Sequence, residues 1–250
     1  MNPARITRHS MLCILATLIA TLTGCSHYSS PSAEGVFGAS TTTSESLRAK
    51  DAYPNTKRSA RFAVIGSGDD AKGWVEVSIT SVSEGDRWEV AYRKKNANDP
   101  FRLDVYSIHD GDVVMIETTE YDRDALTTYD PPLIVMPGRL RPGSPFEQKV
   151  AMTVHPPKDR SAVRRKGEAH QRIELIGQQV VKTGSDSIEA LHVKCEFNAK
   201  LSPAEVATVT ERWYSTEHSP VGFIAERYDE SLKIMGVPSS SRGHLWLLRP

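Results

Sequence analysis

Val75-Glu76-Val77-Ser78-Ile79-Thr80 and, a few residues on, Trp88-Glu89-Val90-Ala91-Tyr92-Arg93 alternate apolar and polar side chains with a period of two. Successive side chains of an extended chain point to opposite faces, so this spacing buries Val75, Val77 and Ile79 on one side and wets Glu76, Ser78 and Thr80 on the other. A helix would need apolar residues every three or four positions, and neither run supplies them. Glu84-Gly85-Asp86 between the runs is a turn signal, so the two strands are predicted to fold back on each other as an antiparallel hairpin.

Working outward, the same grammar repeats. Asp110-Gly111 separates the apolar-rich segments Leu103 to Ile108 and Val113 to Thr119, predicting a second hairpin. Tyr121 to Asp130 reads as a polar connection. Pro131-Pro132 and Pro137 then bracket Leu133-Ile134-Val135-Met136, a segment that prolines confine to an edge or crossing strand. Glu147 to His155, His170 to Ile176, Gln179 to Lys182, Ile188 to Phe197, Val209 to Ser215, Phe223 to Tyr228 and Leu245 to Leu248 read as further strands. Only Pro203 to Ala207, with Ser202 ahead of it as N-cap, starts like a helix. The expected fold is therefore mainly β: a single antiparallel, strongly curved sheet or half-barrel with little helix, formed by residues 58–250 as one domain.

The N-terminal part has a different composition. Arg5 and Arg8 precede Met11 to Leu22, an apolar stretch interrupted only by Thr17 and Thr21 and too short to span a bilayer. That is the layout of an export signal over residues 1–24. Leu22-Thr23-Gly24-Cys25 resembles the lipobox of bacterial lipoproteins, in which the cysteine sulfur takes a diacylglyceryl group and a peptidase cuts just before it. The resemblance implies that Cys25 is the lipidation site and the first residue of a mature chain anchored to a membrane. Several acyl chains at about 0.8 kcal/mol per buried methylene give stable attachment without a spanning helix. Residues 25–57 are rich in Ser, Thr, Pro, Gly and Ala and read as a flexible tether with a reach of roughly 30 Å, with a short helical turn allowed around Thr43 to Ala49. Ser26 after the cysteine resembles the sorting pattern of lipoproteins held in the outer membrane and facing the periplasm, for a host with two membranes.

The body carries a second, looser resemblance. Pro132 to Pro137 followed by Arg141-Pro142-Gly143, the pair Gly177 to Val181 and Ile188 to Val193, and Glu211-Arg212-Trp213-Tyr214 ahead of Pro220 to Ile224 are similar in layout to uncharacterised bacterial envelope β-proteins. The body is distantly similar to the half-barrel carriers and receptors of lipoproteins, which curve around a hydrophobic cavity; it departs from them in having no recognisable lid helices. Trp213 and Tyr214, adjacent in one strand, must point to opposite faces, one into the core and the other onto the outer face or a groove. They are the candidate ligand-contacting residues.

Charge and cysteine content exclude several classes. The chain has 31 basic and 31 acidic residues; without residues 1–24 it has 29 against 31, a net charge of −2 and no basic stripe of the kind a nucleic-acid partner requires. Arg164-Arg165-Lys166 is the one dense basic cluster and reads as a solvated turn, with contact to an anionic headgroup as the alternative. Once Cys13 leaves with the signal and Cys25 is a thioether, Cys195 has no disulfide partner, and its parity with Val193 and Phe197 puts it on a buried face. The sequence contains no Gly-x-Ser-x-Gly, His-Glu-x-x-His, phosphate-binding glycine loop or Cys-x-x-Cys. His170 and His192 are the histidines that strand pairing could bring together, and Asp69-Asp70 and Asp122/Asp124 the paired carboxylates. All read as structural or turn residues, so no catalytic residue, metal or cofactor is expected. The expected function is that of a non-enzymatic envelope lipoprotein whose curved sheet binds an apolar ligand, such as a lipid, or a protein partner. The alternatives are a structural component of an envelope assembly and a hydrolase assembled only in three dimensions.

Overall fold

The two opening runs become β4 (Trp74–Ser81) and β5 (Arg87–Lys94), paired antiparallel from Val75↔Lys94 to Ser81↔Trp88, with Val75, Val77, Ile79, Trp88, Val90 and Tyr92 buried on one face. The computed structural model describes residues 35–65, 73–81 and 86–249. The signal, the lipobox with Cys25, the first part of the tether, Asp69-Asp70 and Glu84-Gly85 lie outside the described residues. Asp110-Gly111 forms the expected two-residue turn between β6 (Arg102–His109) and β7 (Asp112–Glu120). Both residues have positive φ, 52° and 88°, the backbone a tight hairpin matching strand twist demands.

The remaining strands follow in order: β8 (Ala125–Met136), the two-residue β9 (Arg139–Leu140), β10 (Phe146–His155), β11 (Arg165–Thr183), β12 (Asp186–Leu201), β13 (Ala204–Tyr214), β14 (Phe223–Ile234) and β15 (Val237–Leu248). Before them come β1 (Phe37–Thr41), β2 (Leu47–Arg48), the single helical turn α1 (Ala49–Ala52) and β3 (Arg58–Ile65). From β3 to β15, leaving out β9, each strand pairs with its predecessor. The predicted antiparallel sheet is present, and its curvature goes to completion. Leu245–Leu248 of β15 pair with Phe62–Ile65 of β3, closing a 12-stranded up-and-down barrel.

Four sequence expectations are corrected. Gly177 does not end a strand: β11 runs through it with a bulge, and a Cβ there would lie 2.3 Å from the Thr41 carbonyl oxygen of β1. Tyr121 to Asp130 is not a connection throughout, because the chain turns at Tyr121–Arg123 and β8 begins at Ala125. Ser202-Pro203 is the turn of the β12–β13 hairpin rather than a helix start; the paired neighbours on both sides leave no room for a helical turn. The expected tether over 25–57 is ordered from Phe37 onward, since β1 pairs with β11 and Leu47, Ala49 and Ala52 are buried. Isolated apolar residues in a polar stretch find burial against a wall that local composition does not report.

Ion pairs cover the outer wall. Arg61 and Glu76, Arg172 and Glu174, Lys194 and Glu196, and Arg227 with Glu211 form ion pairs on outward-facing positions. This is the reverse of a transmembrane barrel, which shows an apolar band outside. No helix among the described residues is long and apolar enough to cross a membrane.

Candidate functional site

One end of the barrel is plugged by the chain's own N-terminal segment. β2 pairs with β9 through Leu47↔Leu140, and the Ala49 amide donates to the Gly138 carbonyl at 3.2 Å. Gly222, in the β13–β14 connection, has φ +92°, and a Cβ there would lie 2.2 Å from the Ala52 carbonyl oxygen. The plug therefore seats backbone against backbone. Tyr53 follows it into the lumen, where its ring meets Tyr106 and Tyr214 at centroid distances of 5.4 and 6.4 Å.

Above the plug the lumen divides into two unlike halves. Toward β3, β4, β5 and β15 it is filled: Phe62 stacks on Phe223 at 4.8 Å, Trp88 lies 5.8 Å from Tyr106, and Tyr92, Phe101, Trp246 and His244 form a contiguous set of rings. Toward β6 through β14 it is open, forming a cavity of about 440 Å³. Met115, Leu133, Met152, Ile173, Phe197 and Val206 are representative of its apolar wall. That volume falls within the range of small-molecule sites, about 300–1,000 Å³.

A polar seam separates the halves. Fully buried Asp104 accepts from Arg102 Nε at 2.8 Å, Thr118 Oγ1 at 2.5 Å and Tyr106 Oη at 2.9 Å. On the facing side, Glu226 accepts from Arg212 Nε at 2.5 Å and contacts His244 Nε2 at 3.1 Å, while Arg212 Nη1 donates to Tyr53 Oη at 2.7 Å. Burial pushes the Glu226 carboxyl up, but the Arg212 charge and the His244 contact outweigh it and hold the group at about 2. Each seam carboxylate thus has its lone pairs taken up by an arginine and further partners, as a buried charge requires.

The far end is the mouth. Arg123, in the turn after β7, reaches across it to Glu230 of β14, and Arg242 of β15 contacts both Glu230, at 3.1 Å, and Glu120 of β7, at 3.2 Å. These bridges join strands on opposite sides of the ring, and their residues Arg123, Glu120 and Glu230 border the cavity.

One stretch of the cavity wall lacks a backbone ladder. β8 and β10 pair only from Leu126↔His155 to Asp130↔Ala151, ahead of Pro131-Pro132. Beyond the prolines the Gln148 side chain takes the place of a strand, accepting from the Ile134 amide at 3.2 Å and donating to its carbonyl at 2.6 Å. The edge character that prolines predict for Leu133 to Met136 is thus real on one side, although β7 pairs with it on the other.

Of the sequence-predicted site residues, Tyr214 lines the cavity floor and Trp213 does not. They do face opposite ways. Trp213 is on the outer wall, stacked between Phe37 at 3.9 Å and His192 at 4.5 Å, and its indole N–H donates to Gln179 Oε1 at 2.8 Å. There it joins a second apolar cluster with Val181, Ile188, Ile224 and Leu245, roofed by Val36 and Phe37. Trp213 thus stands outside the cavity, covered by β1. Cys195 faces the cavity beside Val193 and Phe197, and burial raises its thiol. His170 sits opposite Asn198 and His192 opposite Gly177, so the two histidines do not meet although their strands pair. Asp124 pairs with Arg164 in the mouth loops. Among the described residues no cluster of His, Cys, Asp and Glu could hold a metal ion. The seam residues Arg102, Asp104, Arg212 and Glu226 escaped sequence reasoning. Their signal was inverted parity: in β6 the polar Arg102 and Asp104 share a face with Tyr106, while Leu103 and Val105 face outward.

No protein-family model, curated protein or solved structure matches the chain.

Proposed function

We propose that the protein is a lipid-anchored, non-enzymatic lipoprotein of the cell envelope that holds an apolar ligand, such as a lipid, in the open half of its barrel. The observation that carries this reading is the division of the lumen. One half is packed with aromatic side chains, while the other keeps a cavity of about 440 Å³ whose wall is mostly apolar, bordered by the charged seam and the mouth bridges, and which opens at one end. A core needed only for stability gains from being filled throughout, because each unfilled volume forfeits dispersion contacts. The export signal and Cys25 support attachment to a membrane, outer and facing the periplasm in a two-membrane host, where such ligands are abundant.

Two measurements test the two parts. Native mass spectrometry of the protein purified in mild conditions should show a retained ligand in the lipid mass range; a clean apoprotein from every preparation would remove the cargo reading. Metabolic labelling with palmitate should mark the parent and spare Cys25→Ser, and label on both would remove the anchor.

A further inference from the structure

Six large apolar side chains are exposed among the described residues, and five of them gather at the mouth. Tyr121 (48 % exposed) is in the β7–β8 turn, Val163 (49 %) in the β10–β11 loop, and Ile234 (44 %), Met235 (80 %) and Val237 (64 %) form the tip of the β14–β15 hairpin. Only Ile176 is elsewhere, at the β11 bulge.

These tips belong to one assembled surface. Arg164 ties the β10–β11 loop to Asp124 of the β7–β8 turn, and Arg165 Nη1 contacts the Ser202 carbonyl of the β12–β13 turn at 3.4 Å. The Met235 amide donates to the Pro203 carbonyl at 2.8 Å, which fixes the apolar hairpin tip to that same turn. Basic residues flank the apolar ones. Lys233 precedes Ile234 and stands opposite Glu205 of β13, Val163 lies in a loop carrying Lys158, Arg160 and Arg164 against Asp159, and Arg165 and Lys166 open β11. Arg160 and Arg164 are engaged by Glu117 and Asp124, while Lys158, Arg165, Lys166 and Lys233 are exposed and form no ion pair among the described residues.

We infer that the mouth docks on a bilayer surface containing anionic phospholipid, with Met235, Val237 and Val163 entering the headgroup boundary and the flanking cations meeting phosphates. Apolar tips beside basic residues are the chemistry such a surface selects, by apolar burial plus attraction to negative headgroups. The position gives the contact a purpose: Leu232 and Ile234 line the cavity just inside the tip, so an acyl chain leaving the bilayer passes from exposed to enclosed apolar surface without crossing water. The inference extends the cargo reading, but the docking chemistry is measured separately from it. Residues 36 and 37 join the barrel against Lys182 and Val181, near the plugged end, so the mouth is presented away from the point where the chain arrives.

The test is sedimentation of the mature chain, starting at position 25 and carrying Cys25→Ser, with vesicles of pure phosphatidylcholine and of phosphatidylcholine with phosphatidylglycerol, beside the same chain carrying mouth substitutions. Binding to the anionic vesicles should exceed binding to the neutral ones, weaken with salt, and fall about fivefold with Lys233→Ala. The double change Met235→Glu, Val237→Glu should abolish the excess while circular dichroism and retained ligand stay as in the parent. Equal binding by parent and double variant would overturn the docking, as would a parent that ignores vesicles and is instead crosslinked through the tip to one protein. Loss of vesicle binding with ligand still retained separates this inference from the cargo reading, which fails only when ligand is absent.

Discussion

Arg212 of β13 and Glu226 of β14 form an ion pair at 2.5 Å inside the barrel, with the side chains only 13 % and 4 % exposed. Glu226 is thereby held at about 2, below its ordinary value near 4.5, so the folded protein binds this proton more weakly than the unfolded chain does. The stability it contributes is complete above about pH 4.5 and drains away as the pH falls toward 2. Glu226→Gln leaves the Arg212 guanidinium buried without its counter-charge and should cost about 3–5 kcal/mol in urea unfolding near neutral pH. The parent should lose stability between pH 5 and 2 more steeply than the variant; parallel pH profiles would refute the assignment.

Phe37 roofs Trp213, and its removal should be visible spectroscopically. Phe37→Ala should shift tryptophan emission to longer wavelength and lower stability by about 1–2 kcal/mol, whereas Phe37→Leu retains much of the cover. An unchanged spectrum in the alanine variant would mean that β1 does not cover the outer cluster in solution.

Gly222 meets the plug where no side chain fits. Gly222→Val should cost about 2–3 kcal/mol and loosen residues 47–54. Trypsin cleavage after Arg48 and Lys50 should then speed up relative to sites on the barrel strands. A variant that keeps the parent's cleavage pattern would show that the plug tolerates a Cβ and is less closely seated.

Filling the cavity should separate ligand binding from folding. Val206→Trp places an indole in the open half and should eliminate retained ligand while moving the melting temperature by less than about 4 °C. Ligand retained in full by this variant would put the binding site elsewhere.

Much of the wall was legible in the sequence. Period-two alternation fixed β4 and β5, Asp110-Gly111 marked a hairpin, and the opposite facing of Trp213 and Tyr214 followed from strand geometry alone. The site was less legible, for two physical reasons. Seam residues such as Arg102, Asp104 and Glu226 are polar groups pointing inward, and the rule that polar residues face water gives them the wrong side; only partners on the same and neighbouring strands, Arg102 and Thr118 for Asp104 and Arg212 and His244 for Glu226, make burial tolerable. The plug depends on Leu47, Ala49 and Ala52 meeting a surface assembled from β9 and the β13–β14 connection, and a composition that reads as tether carries no trace of it.

The closure between β3 and β15 has a consequence for how the molecule is made. Every other junction in the ring joins neighbours along the chain and can form as soon as its hairpin exists, but Phe62–Ile65 must wait for Leu245–Leu248. Until those four residues arrive, the growing sheet has an unfinished margin at β3 and an interior with no far wall. The closed lumen comes into being in a single late event rather than by increments, and the interval before it is when the nascent chain is most exposed to mispairing.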